Sequence, residues 1–593
     1  SADPNEDYIS TEQAARNLAP GMHTMEIVAS RGWDQWALNG FSVAYHPPDT
    51  GYRWGMAGLA ATAVLAFLLA FYSNKRADWG PVGQKLREGY GRLQQAGQLI
   101  LTALIAAIVA LTGWLTWGEQ AAGMYRRLGD GGQLALTAAA AAIFYVTPSF
   151  FIYAAALVIL FIFIYMRPAW GLALITATIP FYVNAGASIP AIFQPKAIFA
   201  YRFSPVEIYT LLTLAAFVVS RFTYHVSRFN TSPRHRVTLS PHPADYAVII
   251  FTAVATLSLF FTERLGVATN EWRMVIIEPA LFYLLLRGIK PTKREMWVVL
   301  DAFVLGGLTV ALFGLWQYAF ARDTLITAEG GLLRLRSVYG SPNNVALYLG
   351  RILPLLVAMA LLGKGNGRRR WLYAAAARPI GLAILLSFSK GALFLGLPAS
   401  LLFVFWVWQR ENGRKTWPWV IGLGLAGIVF LIVAQQIPQL AGRFDLRGAT
   451  GVFRINLWRA SLNMIADHPW LGVGLDNFLY AYRGHYIFAA AWQEPNLNHP
   501  HNIILDFATR LGLLGLIAGS WLIGWLGRLL WLARQRVAPL WQPVVIGLSG
   551  ALVDMLAHGL VDHSFFLVDL AFAFYLMLGT AVWWQTDRNL GEA

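Results

Sequence analysis

The chain contains no cysteine. That excludes a disulfide framework, a thiolate metal site and a cysteine nucleophile. Charge is also scarce: 13% of the 593 residues are Asp, Glu, Lys or Arg, against about 25% in an average soluble domain. With 57% hydrophobic residues and a mean hydropathy of +0.50, the composition is that of a polytopic membrane protein. Acidic residues are outnumbered by basic ones, 31 to 46, which leaves a formal net charge of +15. Such a charge could suggest nucleic acid. Nearly every Arg and Lys cluster, however, flanks an apolar run of about 15–25 residues, where the positive-inside rule places cytoplasmic loops. Topology explains the charge, and no nucleic-acid partner is expected. An initial methionine is lacking too. The chain opens Ser1-Ala2-Asp3-Pro4 with no signal peptide before the first apolar run, and so reads as a processed or truncated piece of something longer.

What is present divides unevenly. Residues 1–50 are polar, and Met22–Ala29 and Trp36–Tyr45 carry β-type residues around an Arg31-Gly32-Trp33-Asp34 turn signal. They read as the remnant of an extracytoplasmic β-domain. Apolar spans follow at roughly 53–72, 97–117, 150–166, 168–182, 206–221, 244–262, 274–288, 297–320, 343–362, 371–388, 391–408, 418–434, 503–531, 541–561 and 565–585, each near the length that crosses a ~30 Å hydrocarbon core. The basic groups Lys75/Arg76/Lys85/Arg87, Arg228/Arg234/Arg236, Lys290/Lys293/Arg294, Lys364/Arg368/Arg369/Arg370, Arg410/Arg414/Lys415 and Arg534/Arg536 fall on one side of this scheme, the cytoplasmic side. Residues 132–147 would break the alternation and are expected to be interfacial or re-entrant.

The expected fold is an all-α polytopic membrane protein of about 14–16 transmembrane helices, with a large extracytoplasmic loop containing amphipathic helices. Its expected parts are the β remnant (1–50), accessory helices (51–149), a first membrane core (150–434), the large loop (435–502) and C-terminal helices (503–593).

Chemistry concentrates in the polar stretch Gly451–Arg510. Ile455, Trp458, Leu462 and Ile465 recur at helical spacing with Arg454 and Arg459 among them, the pattern of an amphipathic helix on the outer membrane surface. Asp467-His468-Pro469 ends it. Asn498-His499-Pro500-His501-Asn502 then places His501 at the top of a membrane span. A single surface arginine usually snorkels to lipid phosphate, and His501 alone would serve a helix cap as readily as catalysis. Arg334, Arg336, Lys390, Arg454, Arg459 and His501 nevertheless all map to the external face from separate chain regions. Lys390, a lone lysine between two apolar spans on the side poor in positive charge, calls for an anionic partner. Cations beside a neutral histidine suit a diphosphate-headed lipid substrate. The cations would stabilise charge on the departing diphosphate, and the histidine would take a proton from an attacking hydroxyl. No compact group of metal ligands is visible on this face beyond Asp562 and His563, where a metal site is possible but weakly supported; no other cofactor is expected.

These residues carry a family resemblance. The order Arg202-Phe203-Ser204-Pro205, Arg336-Ser337-Val338-Tyr339-Gly340-Ser341-Pro342-Asn343-Asn344, Ser389-Lys390-Gly391, Arg454 with Trp458, His468-Pro469-Trp470-Leu471-Gly472-Val473-Gly474, His501-Asn502 and Arg510-Leu511-Gly512-Leu513-Leu514-Gly515 resembles the O-antigen ligase and polymerase family over roughly residues 150–585. The resemblance implies a multi-pass glycosyltransferase of the bacterial inner membrane. Such an enzyme moves a glycan from a polyprenyl diphosphate-linked donor to a glycan, lipid or protein hydroxyl acceptor on the extracytoplasmic face, with inversion and without metal. It implies His501, Arg454 and Lys390 as catalytic residues, with Arg334, Arg336, Arg459 and Asn502 as substrate contacts. Lys390 stands where the family has arginine, which keeps the charge but loses the bidentate fork. The rival reading from another class is a transporter or lipid-linked glycan flippase. That would place ionisable residues near the bilayer midplane, often in two related halves, whereas here they gather at span ends. A non-catalytic scaffold leaves the Lys390, Arg454 and His501 set unexplained.

Overall fold

The computed structural model describes residues 123–182, 196–226, 241–413 and 449–586 apart from short breaks, with isolated positions elsewhere. The β-type segments at 22–45 and the apolar runs at 53–72, 97–117 and 418–434 lie outside the described residues or are described only at scattered positions. The chain divides into two units, residues 1–129 and 130–593, and the second carries everything that follows.

That unit is helical. In chain order it comprises α1 (Gly129–Val146), α2 (Phe150–Met166), α3 (Pro168–Thr178), the hairpin β1 (Lys196–Ile198) and β2 (Tyr201–Phe203), α4 (Pro205–Val226), α5 (Pro243–Ser258), α6 (Leu265–Glu271) and α7 (Glu278–Ile289). It continues with α8 (Lys293–Phe320), the hairpin β3 (Ile326–Thr327) and β4 (Leu333–Arg334), α9 (Pro342–Leu362), α10 (Gly367–Ser387), α11 (Leu397–Glu411), α12 (Ala449–Asp467), α13 (Phe478–Ala481), α14 (Ile503–Arg536), α15 (Gln542–Gly559) and α16 (Val568–Thr586). Both hairpins are antiparallel. From residue 150 onward, the apolar runs that lie within the described residues are occupied by helix. Among the described residues, five helices are long and apolar enough to cross a membrane, or six if α2 and α3, bent by 120° at Arg167, count as one broken span.

Helix starts follow local chemistry. Thr292 accepts from Glu295 N while Glu295 reaches back to Thr292 N, and at α5 His242 accepts from Ala244 N while Asp245 accepts from His242 N; both satisfy N–H groups that a first turn leaves unpaired. α1 covers residues 132–146 of the segment expected to be interfacial or re-entrant. Its first turn is held to α3 and α8 because Arg167 donates to Asp130 at 2.5 Å and to Glu295 at 2.9 Å.

The core is one large apolar cluster in which α9 packs on α10 and α15, α8 on α3, α14 on α5, and α7 on α16. Ionisable residues do not stay at the span ends, contrary to expectation. Arg351 in α9 pairs with Asp554 in α15, both fully buried, and Arg351 also donates to Ser564 Oγ at 3.1 Å. Each member neutralises a charge that would be costly alone in this setting.

α12 shows why periodicity underdetermined its orientation. Leu457, Ala460 and Met464 are its buried stripe, packed with Val473, Phe478 and Tyr482, whereas Ile455 and Leu462 are exposed. The helix therefore carries two apolar stripes. One faces the loop's own small core and the other faces outward.

Candidate functional site

The site is assembled from loops at the ends of helices. The first part is the turn before α9. Ser341 caps that helix, accepting from Asn343 N at 3.2 Å, and Pro342 occupies its first turn, where no N–H is missed. Asn343 and Asn344 are thereby fixed side by side. Asn343 Oδ1 accepts from Arg334 at 2.8 Å, and Asn344 Oδ1 lies 3.3 Å from His563 Nε2.

Arg334 also donates through Nε to Ser387 O at 2.8 Å, and Leu335 N donates to Leu386 O. These bonds tie the turn to the end of α10 and so to Ser389-Lys390-Gly391. Arg334 is buried, with two of its donors spent on protein groups. Those two bonds link the turn before α9 to the end of α10. Arg336 is half-buried and gives Nε to Thr324 O at 2.7 Å.

Lys390 is half-buried in the turn that opens the next helix. Its neighbour Gly391 packs so closely that a methyl group there would sit 2.6 Å from His558 Cδ2 and 2.9 Å from Val561 Cγ2. The lysine turn is thus seated against the chain one residue before Asp562.

His501 stands at the centre. Asn502 caps α14, accepting from Ile504 N and Leu505 N, and donates to Leu560 O at 3.1 Å. The cap holds His501 beside the loop that follows α15. His501 has φ of 50°, a left-handed conformation uncommon for a side-chain-bearing residue and typical of functional loops. Ser337 and Phe388, at the other two turns, share this feature, with φ of 53° and 47°.

His501 Nδ1 lies 2.9 Å from Asp562 Oδ1 and 3.0 Å from His499 Nε2. His499 Nδ1 lies 2.6 Å from Asn498 Oδ1, and the His499 ring stacks on His563 at 3.7 Å. Burial raises the Asp562 carboxyl, but its contacts with the flanking histidines, above all the hydrogen bond with His501, outweigh it and hold the group well below the usual carboxylate range. Burial, reinforced by the neighbouring His501, pushes His499 down to about 3; burial and His499 do the same to His563. Both are therefore neutral at physiological pH.

Tautomers follow from these partners. An ionised Asp562 can only accept, which places a proton on His501 Nδ1 and leaves the lone pair on Nε2. The amide oxygen of Asn498 takes the His499 Nδ1 proton, so His499 Nε2 is also a lone pair. The His501 Nδ1 proton is then shared between Asp562 Oδ1 and His499 Nε2.

Arg454 and Trp458 lie one turn apart on the same face of α12. Trp458 donates its indole N–H to Pro500 O at 2.9 Å, which turns that face toward the histidine loop. Arg454 is half-buried and close enough for its charge to act on His558 in α15. Arg459, five residues on and about 140° further round the helix, is exposed.

The two glycine motifs are scaffold. Gly512, with φ of 65°, breaks α14 and frees its backbone. Val473 N and Gly474 N donate to Thr509 O and Arg510 O, while Leu513 N and Leu514 N donate to Pro469 O and Trp470 O. Arg510 binds Asp506 and both Glu271 carboxylate oxygens, and reaches Asn498 O at 3.4 Å.

The structure thus brings Lys390, Arg454, His501 and Asn502 into one neighbourhood around the His501–Asp562 contact. It adds Asp562, His499, His563 and Asn344. The expected Asp562/His563 pair is divided: Asp562 turns to His499 and His501, and His563 to Asn344. The signals for this were the His-x-His spacing of 499–501 and a charged Asp-His pair stranded between two apolar runs.

Residues 374–519 match the family model described as O-Antigen ligase. The matched segment contains Lys390, Arg454, Arg459, His501 and Asn502 but not Asp562. The O-antigen ligase of Pseudomonas aeruginosa is 25% identical over 358 residues, 56% of this chain and 75% of that protein. The general O-oligosaccharyltransferase of Acinetobacter baylyi is 24% identical over 255 residues, 40% of this chain and 42% of that protein. The chain spans less than half the length of the latter relative.

Proposed function

From the premise that this chain belongs to the O-antigen ligase family, we propose that it transfers a glycan from a polyprenyl diphosphate-linked donor to a hydroxyl acceptor at the extracytoplasmic face of a bacterial inner membrane. The observation that carries the reading is the contact of His501 Nδ1 with Asp562 Oδ1 at 2.9 Å. It leaves Nε2 as a base without a protein partner among the described residues. That nitrogen takes the acceptor proton as the hydroxyl oxygen attacks the anomeric carbon. The new C–O bond forms as the bond to the diphosphate oxygen breaks, and the diphosphate leaves with the electron pair. A single displacement inverts the anomeric centre.

Arg454 and Lys390 hold the diphosphate and stabilise its growing charge, the part that a metal ion plays elsewhere. Arg459 and Arg336 are outer phosphate or sugar contacts. Asn502 aligns His501 through the helix cap. The acceptor is a glycan, lipid or protein hydroxyl, and the enclosing membrane lipid delivers the donor.

The test is incubation of the purified chain with a polyprenyl diphosphate-linked glycan and candidate acceptors, followed by gel separation. One discrete shift that depends on acceptor marks a ligase, and a ladder marks a polymerase. No product with any acceptor, together with movement of the donor across a vesicle bilayer, would replace this reading with that of a flippase.

A further inference from the structure

The three atoms that share one proton in the histidine loop also have the arrangement of a metal site. His499 Nε2, His501 Nδ1 and Asp562 Oδ1 are separated by 3.0, 2.9 and 3.5 Å. Zinc binds imidazole nitrogen and carboxylate oxygen at about 2.0–2.2 Å, which puts neighbouring ligands of a tetrahedral ion about 3.3 Å apart. A point about 2.05 Å from all three atoms exists, roughly 0.9 Å out of their plane, so the spacing of the three donors suits such an ion. Among the described residues this is the group of His and acidic side chains that meets such a spacing.

The surroundings fit. Asn498 Oδ1, 2.6 Å from His499 Nδ1, takes the distal ring proton, as the outer partners of metal-bound histidines do. His563 N donates to Asp562 Oδ1 at 3.0 Å, fixing the carboxylate. The His499 and Asp562 side chains are 11% and 4% exposed while His501 is 20% exposed, so an ion and its water enter from the His501 side.

We propose that His499, His501 and Asp562 form a three-ligand site for a zinc-class divalent cation that switches the transferase off. The ion takes the place of the shared proton. Binding requires the lone pair of His501 on Nδ1, so the proton moves from Nδ1 to Nε2 through solvent, with no net proton release. Nε2 then carries hydrogen and can no longer accept one from an acceptor hydroxyl. The inhibitory consequence rests on His501 acting as the base; the binding site does not.

The experiment uses the purified full chain with a non-histidine tag in nanodiscs, titrated with Co2+ and followed by visible absorption, then with Zn2+ in competition. The expected result is an intense tetrahedral cobalt spectrum saturating near about one equivalent, displaced by zinc and abolished in His499→Ala. A wild-type protein without that spectrum, or a His499→Ala variant that retains it, overturns the site. His499→Gln, checked for monodispersity, guards against misfolding as the cause of loss.

In the transfer assay, zinc at ten times its Kd should reduce the rate about elevenfold by occupancy alone, and chelator should restore it. Whatever activity His499→Ala retains should be insensitive to zinc. Cobalt bound with full transfer activity overturns the switch and with it the His501 base, while leaving the site in place. Absent cobalt binding with normal transfer overturns the site and leaves the base standing.

Discussion

Trp458 donates its indole N–H to the carbonyl oxygen of Pro500 at 2.9 Å, and this bond joins the helix that carries Arg454 to the loop that carries His501. On the proposed reading, a donor-binding cation and a base are set in register by a residue that touches neither substrate. Trp458→Phe keeps an aromatic ring and removes the donor. A neutral hydrogen bond contributes about 1 kcal/mol, so kcat/KM should fall roughly fivefold with unchanged protein yield. A wild-type rate from the variant would remove the coupling.

Asp562 and His501 should behave as a unit. His501→Ala removes the base, and Asp562→Asn removes the acceptor that selects its tautomer. In an analogous carboxylate–histidine arrangement, the Asp→Asn change costs about 10⁴ in kcat. Each variant here should lose at least about 10² in transfer rate, and the double variant should be little worse than the worse single one. Donor binding, measured with a fluorescent lipid-linked glycan, should persist in all three. Independent, multiplicative losses would show that the residues act separately.

Lys390 tests charge against geometry. Lys390→Arg keeps the cation and adds a fork, and should retain activity. Lys390→Ala should lose at least about tenfold, mostly in kcat if the charge acts on the departing diphosphate. Equal rates for lysine, arginine and alanine would take this residue out of the donor site.

How much of this was legible in sequence depended on the range of the interaction. Lys390, Arg454 and His501 stood out through the alternation of spans and the unusual charge of a single lysine. Asp562 was visible only as an oddity, because its partner lies 61 residues away along the chain and the two meet by helix packing. The orientation of α12 was ambiguous because Ile455/Leu462 and Leu457/Met464 are both apolar at helical spacing; only the tertiary contacts of Leu457 and Met464 choose between them. The Arg351–Asp554 pair escaped because hydropathy averaged over a span conceals one charge that is neutralised across it. The bonds of Arg334 to Ser387 and Asn343 were likewise hidden, because those partners lie 53 and 9 residues away and meet it only in the fold.

The loop histidines make stability pH-dependent. His499 and His563 are pushed from 6.5 to about 3, so at pH 5 they are neutral when folded and protonated when unfolded. The unfolded chain then binds more protons, and stability falls as pH is lowered. The contribution is fully present above pH 6.5 and is lost progressively toward pH 3. Between pH 6.5 and 4.5, above the range where ordinary carboxylates titrate, each histidine should cost roughly 1 kcal/mol per pH unit. Thermal unfolding in detergent across this window should show a slope that is smaller by roughly 1 kcal/mol per pH unit in His563→Asn than in the parent chain. A flat profile, or one unchanged by the substitution, would mean that these rings are more solvated than their packing indicates.

Gly512 tests the scaffold rather than the chemistry. Its φ of 65° breaks α14 so that the backbone of residues 509–514 exchanges hydrogen bonds with residues 469–474, and a Cβ there would press into the Trp470 backbone. Gly512→Ala therefore pays twice, about 1 kcal/mol for the left-handed conformation and about 1–3 kcal/mol for overpacking against main chain that cannot give way. Gly413 also has φ of 65° but open space around it, so Gly413→Ala should incur only the first cost. The measurement is the unfolding midpoint of both variants in the same detergent. Gly512→Ala should be clearly the less stable, and its surviving folded fraction should be impaired in transfer, because Asn498 and the histidine loop hang from Arg510 two residues before the break. Equal midpoints would mean that the close approach of the two motifs contributes nothing to holding the site.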